Sequence, residues 1–159
     1  MTPAQLTILR DLIAADPVLS AYPQTSDGAW EVAAALNLPA SPEFVVWKTD
    51  LPIDEIMRNG MDWTRVDNLS TGKARIWDWM TRLGSINPSR ANIRAGIEAA
   101  WVGTAADLAV RATIYTHCKR PASRAEKALA TGTGTTASPA TMGWEGAVSY
   151  HQVEEARRL

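Results

Sequence analysis

The run Ser70-Thr71-Gly72-Lys73 contains residue types with which a loop could bind phosphate. A phosphate-binding loop also needs a second glycine, separated from Gly72 by four residues, so that backbone N–H groups can surround the phosphate. Asp67 stands at that position, where its carboxylate would repel the ligand. The pair Gly132 and Gly134 lacks the third glycine and the preceding strand of a dinucleotide site. We therefore interpret the first run as a capped helix start and the second as a flexible linker.

Cys118 is the only cysteine, and His117 directly precedes it. Adjacent side chains on a helix point about 100° apart, so this pair lacks the geometry of a nucleophile and its base. His151 is the second histidine, and two histidines with one cysteine make a poor zinc set. The sequence predicts a small buried thiol beside a half-buried histidine, with no metal and no cofactor. A lone cysteine also excludes an intramolecular disulfide framework and is typical of a reducing compartment.

Acidic residues occur in three pairs: Asp54 with Glu55, Asp62 with Asp67, and Glu154 with Glu155. Paired carboxylates can perform general acid–base chemistry or bind divalent cations. The same residues near a helix N-terminus also stabilise the helix dipole, and this interpretation fits Asp54 and Glu55 directly. The sequence therefore predicts no catalytic residue, and we expect that the protein is not an enzyme.

One basic cluster is formed by Lys119, Arg120, Arg124 and Lys127. It could contact the phosphate backbone of DNA non-specifically, or it could lie at a helix C-terminus, where cations are favoured. No aromatic residues alternate with these cations, as they do in stacking surfaces for single strands. An acidic partner surface, including the acidic N-terminal part of a neighbouring subunit, is at least as good an interpretation.

The formal net charge of the 159 residues is −1, but the charge is unevenly distributed. Residues 1–67 hold ten acidic and four basic residues, a net charge of −6, whereas residues 68–159 hold seven acidic and twelve basic residues, a net charge of +5. A chain this close to neutrality does not match a dedicated DNA-binding protein. The opposite charges could attract a second copy head to tail, although both halves could also be solvated faces of one domain.

The composition is that of a globular protein, with 46% apolar and 21% charged residues. The longest apolar runs, such as residues 33–36, are too short to cross a membrane. The N-terminal segment lacks the basic region of a signal peptide. Seven tryptophans accompany a single phenylalanine. We expect most of these tryptophans in the core and one or two at a protein–protein interface, where tryptophan is enriched.

Capping residues and apolar residues at helical spacing predict a mainly α protein, a compact helical bundle with an extended C-terminal arm containing a short β segment. N-caps are predicted at Thr2, Asp27, Thr104 and Ser149, and Asn87-Pro88 repeats the cap-then-proline signal of Thr2-Pro3. Further helices are predicted over residues 53–59, 62–66, 70–83 and 123–129, and residues 44–47 are β-prone.

The predicted domains are a helical domain, residues 1–129, and the arm, residues 130–159. The arm begins with small, uncharged residues, ATGTGTTASPA, over residues 130–140. Such a run cannot bury enough apolar surface to fold alone, so it predicts a flexible hinge. Residues 142–150 predict a short strand or ordered segment, and a short helix ends the arm.

Most of residues 47–157 resembles a group of small virion-morphogenesis proteins of tailed phages and prophages. The resemblance is carried by three segments: MDWTRVDNLSTGKARIWDWM, INPSRANIRAGIEAAWVG and CKRPASRAEKALATGTGTTASPATMGWEGAVSYHQVEEAR. It extends over whole segments without a motif of known chemistry, so it implies no catalytic residue. It implies a structural protein of the bacteriophage virion, most closely a head–tail connector, or adaptor, that forms a homo-oligomeric ring beneath the portal.

In such a ring, each copy binds the next through two different faces, and an extended arm contacts the portal or the next subunit. Residues 131–140 are expected to be the hinge that lets this arm reach a partner, and Trp144 is expected to be its exposed anchor. The expected subunit or portal interface includes Thr131, Gly132, Thr133, Gly134, Thr135, Trp144 and Tyr150. The implied partners are further copies of the chain, the portal, tail or neck proteins and packaged DNA, with no membrane. The implied location is the virion, assembled in the bacterial cytoplasm.

Two other functions fit the same residues. The protein could be a different virion protein, at the capsid surface as a decoration protein or at the tail end. It could also be a DNA-binding packaging accessory that uses the basic cluster of Lys119, Arg120, Arg124 and Lys127.

Overall fold

The computed structural model describes residues 1–58 and 60–159. Helices hold 56% of the residues, so the mainly α class is confirmed. The ten helices of the described residues are α1 (Pro3–Ala15), α2 (Pro17–Ala21), α3 (Ser26–Asn37), α4 (Ile53–Arg58), α5 (Trp63–Asp67), α6 (Thr71–Thr81), α7 (Ala91–Ala100), α8 (Ala105–His117), α9 (Arg124–Leu129) and α10 (Tyr150–Arg157). The six short strands are β1 (Val45–Trp47), β2 (Leu51–Pro52), β3 (Ser85–Ile86), β4 (Lys119–Pro121), β5 (Ala130–Thr131) and β6 (Thr141–Met142).

The chain divides into two compact units. Unit 1 consists of Met1–Val46 and Pro121–Leu159, and unit 2 consists of Trp47–Arg120. The chain passes from unit 1 to unit 2 within β1 and returns to unit 1 within β4. This division differs from the predicted one at residue 130, because the N-terminal and C-terminal segments share one unit while the middle of the chain forms the other.

Local capping explains where helices of unit 1 begin. The Thr2 side chain accepts a hydrogen bond from the Gln5 N–H, and the Gln5 side chain accepts one from the Thr2 N–H, which makes a capping box. Ser149 and Gln152 form the same reciprocal pair at the start of α10. Both predicted N-caps are confirmed. Asp16 ends α1 as predicted, and its carboxylate also caps α2, a short helix that the sequence pattern does not predict.

The C-terminal segment, predicted as an extended arm, contributes to the core of unit 1. Helix α10 packs against α1 and α3. Its Val153 and Ala156 are completely buried, and they join Leu9, Val32 and Leu36 in one apolar cluster. Since a short helix in water is stable mainly through the burial of its apolar face, α10 and the helices that it contacts stabilise each other.

Residues 131–140, predicted as a flexible hinge, form an ordered turn of unit 1. Strands β5 and β6 pair antiparallel at its base, with Ala130 opposite Met142. Gly134 in the turn has a φ of 67°, and a Cβ at this position would overlap the Phe44 ring. Only glycine combines this backbone conformation with such a close approach of an aromatic ring. The contact explains how a run of small residues becomes ordered.

In unit 2, β2 and β3 pair antiparallel, and α6 packs along α7. The core contains Trp77 and Trp101, whose rings meet edge to face with centroids 5.4 Å apart. Neither indole N–H has a hydrogen-bond partner among the described residues. Ring packing, rather than hydrogen bonding, therefore orients these two side chains in the core.

Two helix starts differ from the predicted ones. The N-cap of α3 is Thr25, which precedes the predicted Asp27. Helix α7 begins at Ala91 rather than at Asn87-Pro88, because the Asn87 side chain accepts a hydrogen bond from the backbone two residues later and closes a turn instead. The helix predicted to end at Asn59 is observed as α4, and Asn59 itself lies outside the described residues.

Truncation of Val153 tests the packing of α10. Because this side chain is completely buried, we expect Val153→Ala to lower the free energy of unfolding by roughly 1.5–3 kcal/mol. Glu155→Ala, on the exposed side of the same helix, is the matched control and should change it by less than about 0.5 kcal/mol. Chemical denaturation followed by tryptophan fluorescence measures both. Equal stabilities of the two variants would contradict the place of α10 in the core.

Candidate functional site

Five of the seven residues predicted to contact a partner lie in β5 and the turn that follows it. The exposed members are Thr131, Gly132, Thr133 and Thr135. Gly134 is buried against Phe44. The Thr133 hydroxyl donates a hydrogen bond to the Ser138 carbonyl at 2.9 Å. The turn therefore presents small polar groups at the surface of unit 1 in a fixed conformation.

The two aromatic residues of that prediction differ in their surroundings. Trp144 is half-buried and packs against the core of unit 1, so it does not have the exposure expected of an anchor on an arm. Tyr150 is the first residue of α10 and stacks on Trp30 of α3, with ring centroids 5.1 Å apart and planes 15° apart. Trp30 thus joins the candidate interface, although its place in the sequence does not single it out.

Two residues of the basic cluster, Lys119 and Arg120, lie on β4 in unit 2. Nζ of Lys119 is 5.5 Å from the centre of the Trp47 ring and 5.8 Å from that of Tyr115. The guanidinium carbon of Arg94 also lies 4.9 Å from the centre of the Trp47 ring. Cation–π contacts of this kind contribute about 0.5–1 kcal/mol at exposed sites. Lys119 therefore contributes to packing within its own unit.

The other two residues of the cluster, Arg124 and Lys127, lie on α9 in unit 1. Arg124 forms an ion pair with Asp16, with 2.5 Å between nitrogen and oxygen. Lys127 lies 5.7 Å from the centre of the Phe44 ring. The pKa of Asp16 is lowered, first by a hydrogen bond from the Leu19 N–H and further by Arg124. Both cations therefore stabilise contacts within their own unit.

Cys118 is completely buried in the core of unit 2, which confirms the predicted structural thiol. Burial raises the pKa of the thiol to about 12. The neighbouring His117 has its Nδ1 3.9 Å from Oε1 of Glu55, and Nζ of Lys48 contacts the same oxygen at 2.6 Å. The thiol therefore stays protonated near neutral pH, where nucleophilic chemistry would need the thiolate.

The native protein should react very slowly with a thiol reagent. The thiolate is the reactive form, and Cys118 is buried with a pKa of about 12. We expect labelling in mildly alkaline buffer to be at least roughly 100-fold slower than labelling of the chain unfolded in guanidinium. The absorbance of the released chromophore measures both rates. Similar rates with and without denaturant would contradict a buried thiol.

Asp107 is a buried carboxylate at the start of α8 in unit 2. Its Oδ1 accepts a hydrogen bond from Arg65 at 2.5 Å, and its Oδ2 accepts one from the Thr104 N–H at 3.2 Å. The second bond completes a capping box, which confirms the predicted N-cap Thr104. These hydrogen bonds, first of all the one from Arg65, lower the pKa of Asp107 to about 2. The carboxylate therefore stays charged and stabilises the helix start.

Lowering the pH should destabilise unit 2, because the carboxylate of Asp107 becomes protonated. Its pKa is about 2 in the folded protein against an ordinary value of 3.8, so its contribution to stability is complete above about pH 4 and is lost as the pH falls toward 2. We expect Asp107→Asn to be less stable at neutral pH and to lose less stability than the wild type across that window.

Urea denaturation at a series of pH values measures this effect. Asp78→Asn is the matched control, because Asp78 forms an exposed ion pair with Arg82 in the same unit, and such pairs contribute little to stability. Parallel pH profiles for Asp107→Asn and the wild type would show that the buried carboxylate does not carry the acid sensitivity.

An apolar groove of unit 1, the α3 groove, lies between α3 and the segment that leads into α10. Its volume is about 420 Å³, and its lining includes Trp30, Ala33, Ala34, Asn37, Val148 and Tyr150. The Asn37 amide exchanges hydrogen bonds of 2.8 and 2.9 Å with both backbone groups of Val148. Because this amide is satisfied within the chain, the groove offers a partner mainly aromatic and aliphatic surface.

The outward side of α6 in unit 2 carries a second exposed aromatic surface, the α6 face, defined by Arg75, Trp79 and Leu83. Trp79 is 64% exposed and Leu83 is 66% exposed. Leu83 follows Met80 by three residues, and this spacing predicts that Leu83 lies on the buried side of the helix. The observed C-cap is Arg82, so the chain leaves the helix before Leu83 can reach the core.

The described residues hold neither a metal-binding cluster nor a membrane-spanning helix. Among residues 1–58 and 60–159, no three His, Cys, Asp or Glu side chains gather as a metal site requires. Within the same ranges, no helix combines the length and the apolar character of a membrane span. No protein-family model, curated protein or solved structure matches the chain. The α3 groove and the α6 face, which hold exposed aromatic side chains, form the candidate functional site.

Proposed function

We propose that the protein is a non-enzymatic structural subunit of a tailed-phage virion, most specifically a head–tail connector that forms a ring beneath the portal. The resemblance of most of residues 47–157 to small phage proteins is the starting point of this proposal. A chain of 159 residues with a mainly α fold suits a connector subunit. The role requires surfaces that bind other proteins rather than a catalytic centre.

The exposed tryptophans carry the proposal. Trp30, Trp63 and Trp79 are between 59% and 64% exposed. An indole left in water forgoes the burial of a large apolar area, and tryptophan is enriched among the residues that dominate binding energy at interfaces. A subunit that covers these side chains on assembly accounts for their exposure, which favours a binding role over catalysis.

Two alternative functions remain hypotheses. A packaging accessory would bind DNA through the basic cluster, but Lys119, Arg124 and Lys127 contact aromatic rings or a carboxylate of their own units. A capsid decoration or tail-end protein would bind the shell or the tail instead of the portal. The identity of the partner therefore distinguishes the three functions.

Electron microscopy of negatively stained particles tests the proposed function. The purified chain is imaged alone and after mixing with the portal protein encoded near it. We expect rings of the chain, or an added layer on one face of the portal ring, because a connector covers its exposed apolar surfaces against these partners. The portal mixed with an unrelated protein of similar size is the control.

A portal that gains no layer, together with a chain that forms no ring, would contradict the connector function. Binding to duplex DNA that weakens steeply with salt would instead favour the packaging accessory. Arg120→Glu combined with Arg124→Glu should abolish that binding if the basic cluster is responsible. Binding to empty capsid shells or tails would favour the decoration or tail-end function.

A further inference from the structure

The α3 groove of unit 1 lies beside two exposed carboxylates. Asp27 precedes Trp30 by three residues on α3, and Glu31 follows it directly. A spacing of four residues makes the two acids neighbours on the outward side of the helix. Among the described residues, neither acid forms an ion pair. Unit 1 as a whole holds nine acidic and five basic residues, a net charge of −4.

The α6 face of unit 2 has the opposite character. Arg75 and Trp79 lie four residues apart on α6, so they are neighbours on the outward side of the helix, and the exposed Leu83 follows directly after its C-cap. Arg75 is exposed and forms no ion pair among the described residues, whereas the nearby Arg82 is neutralised by Asp78 at 2.7 Å. Unit 2 holds eleven basic and eight acidic residues, a net charge of +3.

We propose that the α6 face of one copy binds in the α3 groove of a second copy. Trp79 then lies against the stacked rings of Trp30 and Tyr150, and Arg75 lies beside the carboxylates of α3. The groove volume of about 420 Å³ is within the roughly 300–1,000 Å³ of pockets that enclose small ligands, so it can accommodate an indole ring. The inference deepens the proposed function, because a connector ring rests on such a contact between copies.

Charge complementarity identifies a second copy as the occupant, because every chain carries both the acidic groove and the basic helix face. Surfaces of opposite charge attract and surfaces of like charge repel, so the contact is heterologous and joins two different faces. Trp63, the other exposed tryptophan of unit 2, does not meet this requirement of a charge opposite to that of the groove. It lies on α5 with the exposed Asp62 and Asp67, and these acids would face the acids of the groove.

Sedimentation velocity over a range of protein concentrations tests the contact. The wild-type chain should associate, and Trp79→Ala should raise the dissociation constant roughly 30-fold, as expected for a tryptophan at the centre of an interface. Trp63→Ala is the matched control, since this tryptophan is similarly exposed in the same unit, and it should leave the constant unchanged. Circular dichroism establishes that both variants retain their helices.

Charge reversal provides a result that misfolding cannot imitate. Glu31→Arg and Arg75→Glu each place like charges across the contact, so each variant alone should associate at least roughly fivefold more weakly than the wild type. In an equimolar mixture, the reversed groove of one variant meets the reversed helix face of the other, and the two unaltered faces also match. The mixture should therefore associate more strongly than either variant alone.

Three results would overturn the inference. They are a wild-type chain that stays monomeric at every concentration, equal weakening by Trp63→Ala and Trp79→Ala, and a mixture of charge variants that associates no better than its components. The measurement uses the chain alone. Failure of self-association therefore refutes this contact, while an added layer on the portal still supports the connector function. Absence of a layer on the portal leaves this contact untouched.

Discussion

Unit 1 depends on the packing of α10 against α1 and α3. Val153 enters the core between these helices, and Arg157 donates hydrogen bonds to backbone carbonyls between α2 and α3, including that of Pro23 at 3.0 Å. The same packing brings Tyr150 onto Trp30 and so creates one wall of the α3 groove. The α3 groove therefore depends on the packing of the core, and it exists only while α10 is in place.

Features that depend on a few neighbouring residues could be predicted from the sequence. Thr2, Thr104 and Ser149 are N-caps as expected, because a cap needs only a side-chain oxygen and a backbone N–H three residues later. The β-prone residues 44–47 contain β1 for an equally local reason. Asp27 fails as a cap because Thr25 offers a competing side-chain oxygen two residues earlier, and composition alone does not decide between them.

Features that join distant parts of the chain could not be predicted in this way. Residues 130–140 have the composition of a linker, yet Phe44 packs on Gly134 and orders the turn. The interface prediction includes Tyr150 but omits Trp30, since no periodicity couples residues so far apart in sequence. The exposure of Trp79 on the α6 face could have been predicted from the sequence. On a helix of 3.6 residues per turn, Trp79 is out of phase with the buried Trp77 and Met80.

The division into units also sets an order of events during synthesis. Unit 2 is a continuous segment whose two ends meet, with the Lys48 N–H donating to the Cys118 carbonyl at 2.9 Å. Because a chain leaves the ribosome N-terminus first, this segment is complete before residues 150–157 exist. Unit 1 must instead wait for contacts of long sequence separation, which form slowly. The α3 groove, which needs Tyr150, is thus among the last surfaces to form. In the proposed contact between copies, a nascent chain would present its α6 face before it could accept one, so an assembly would grow beyond a given copy only once that copy's synthesis has passed α10.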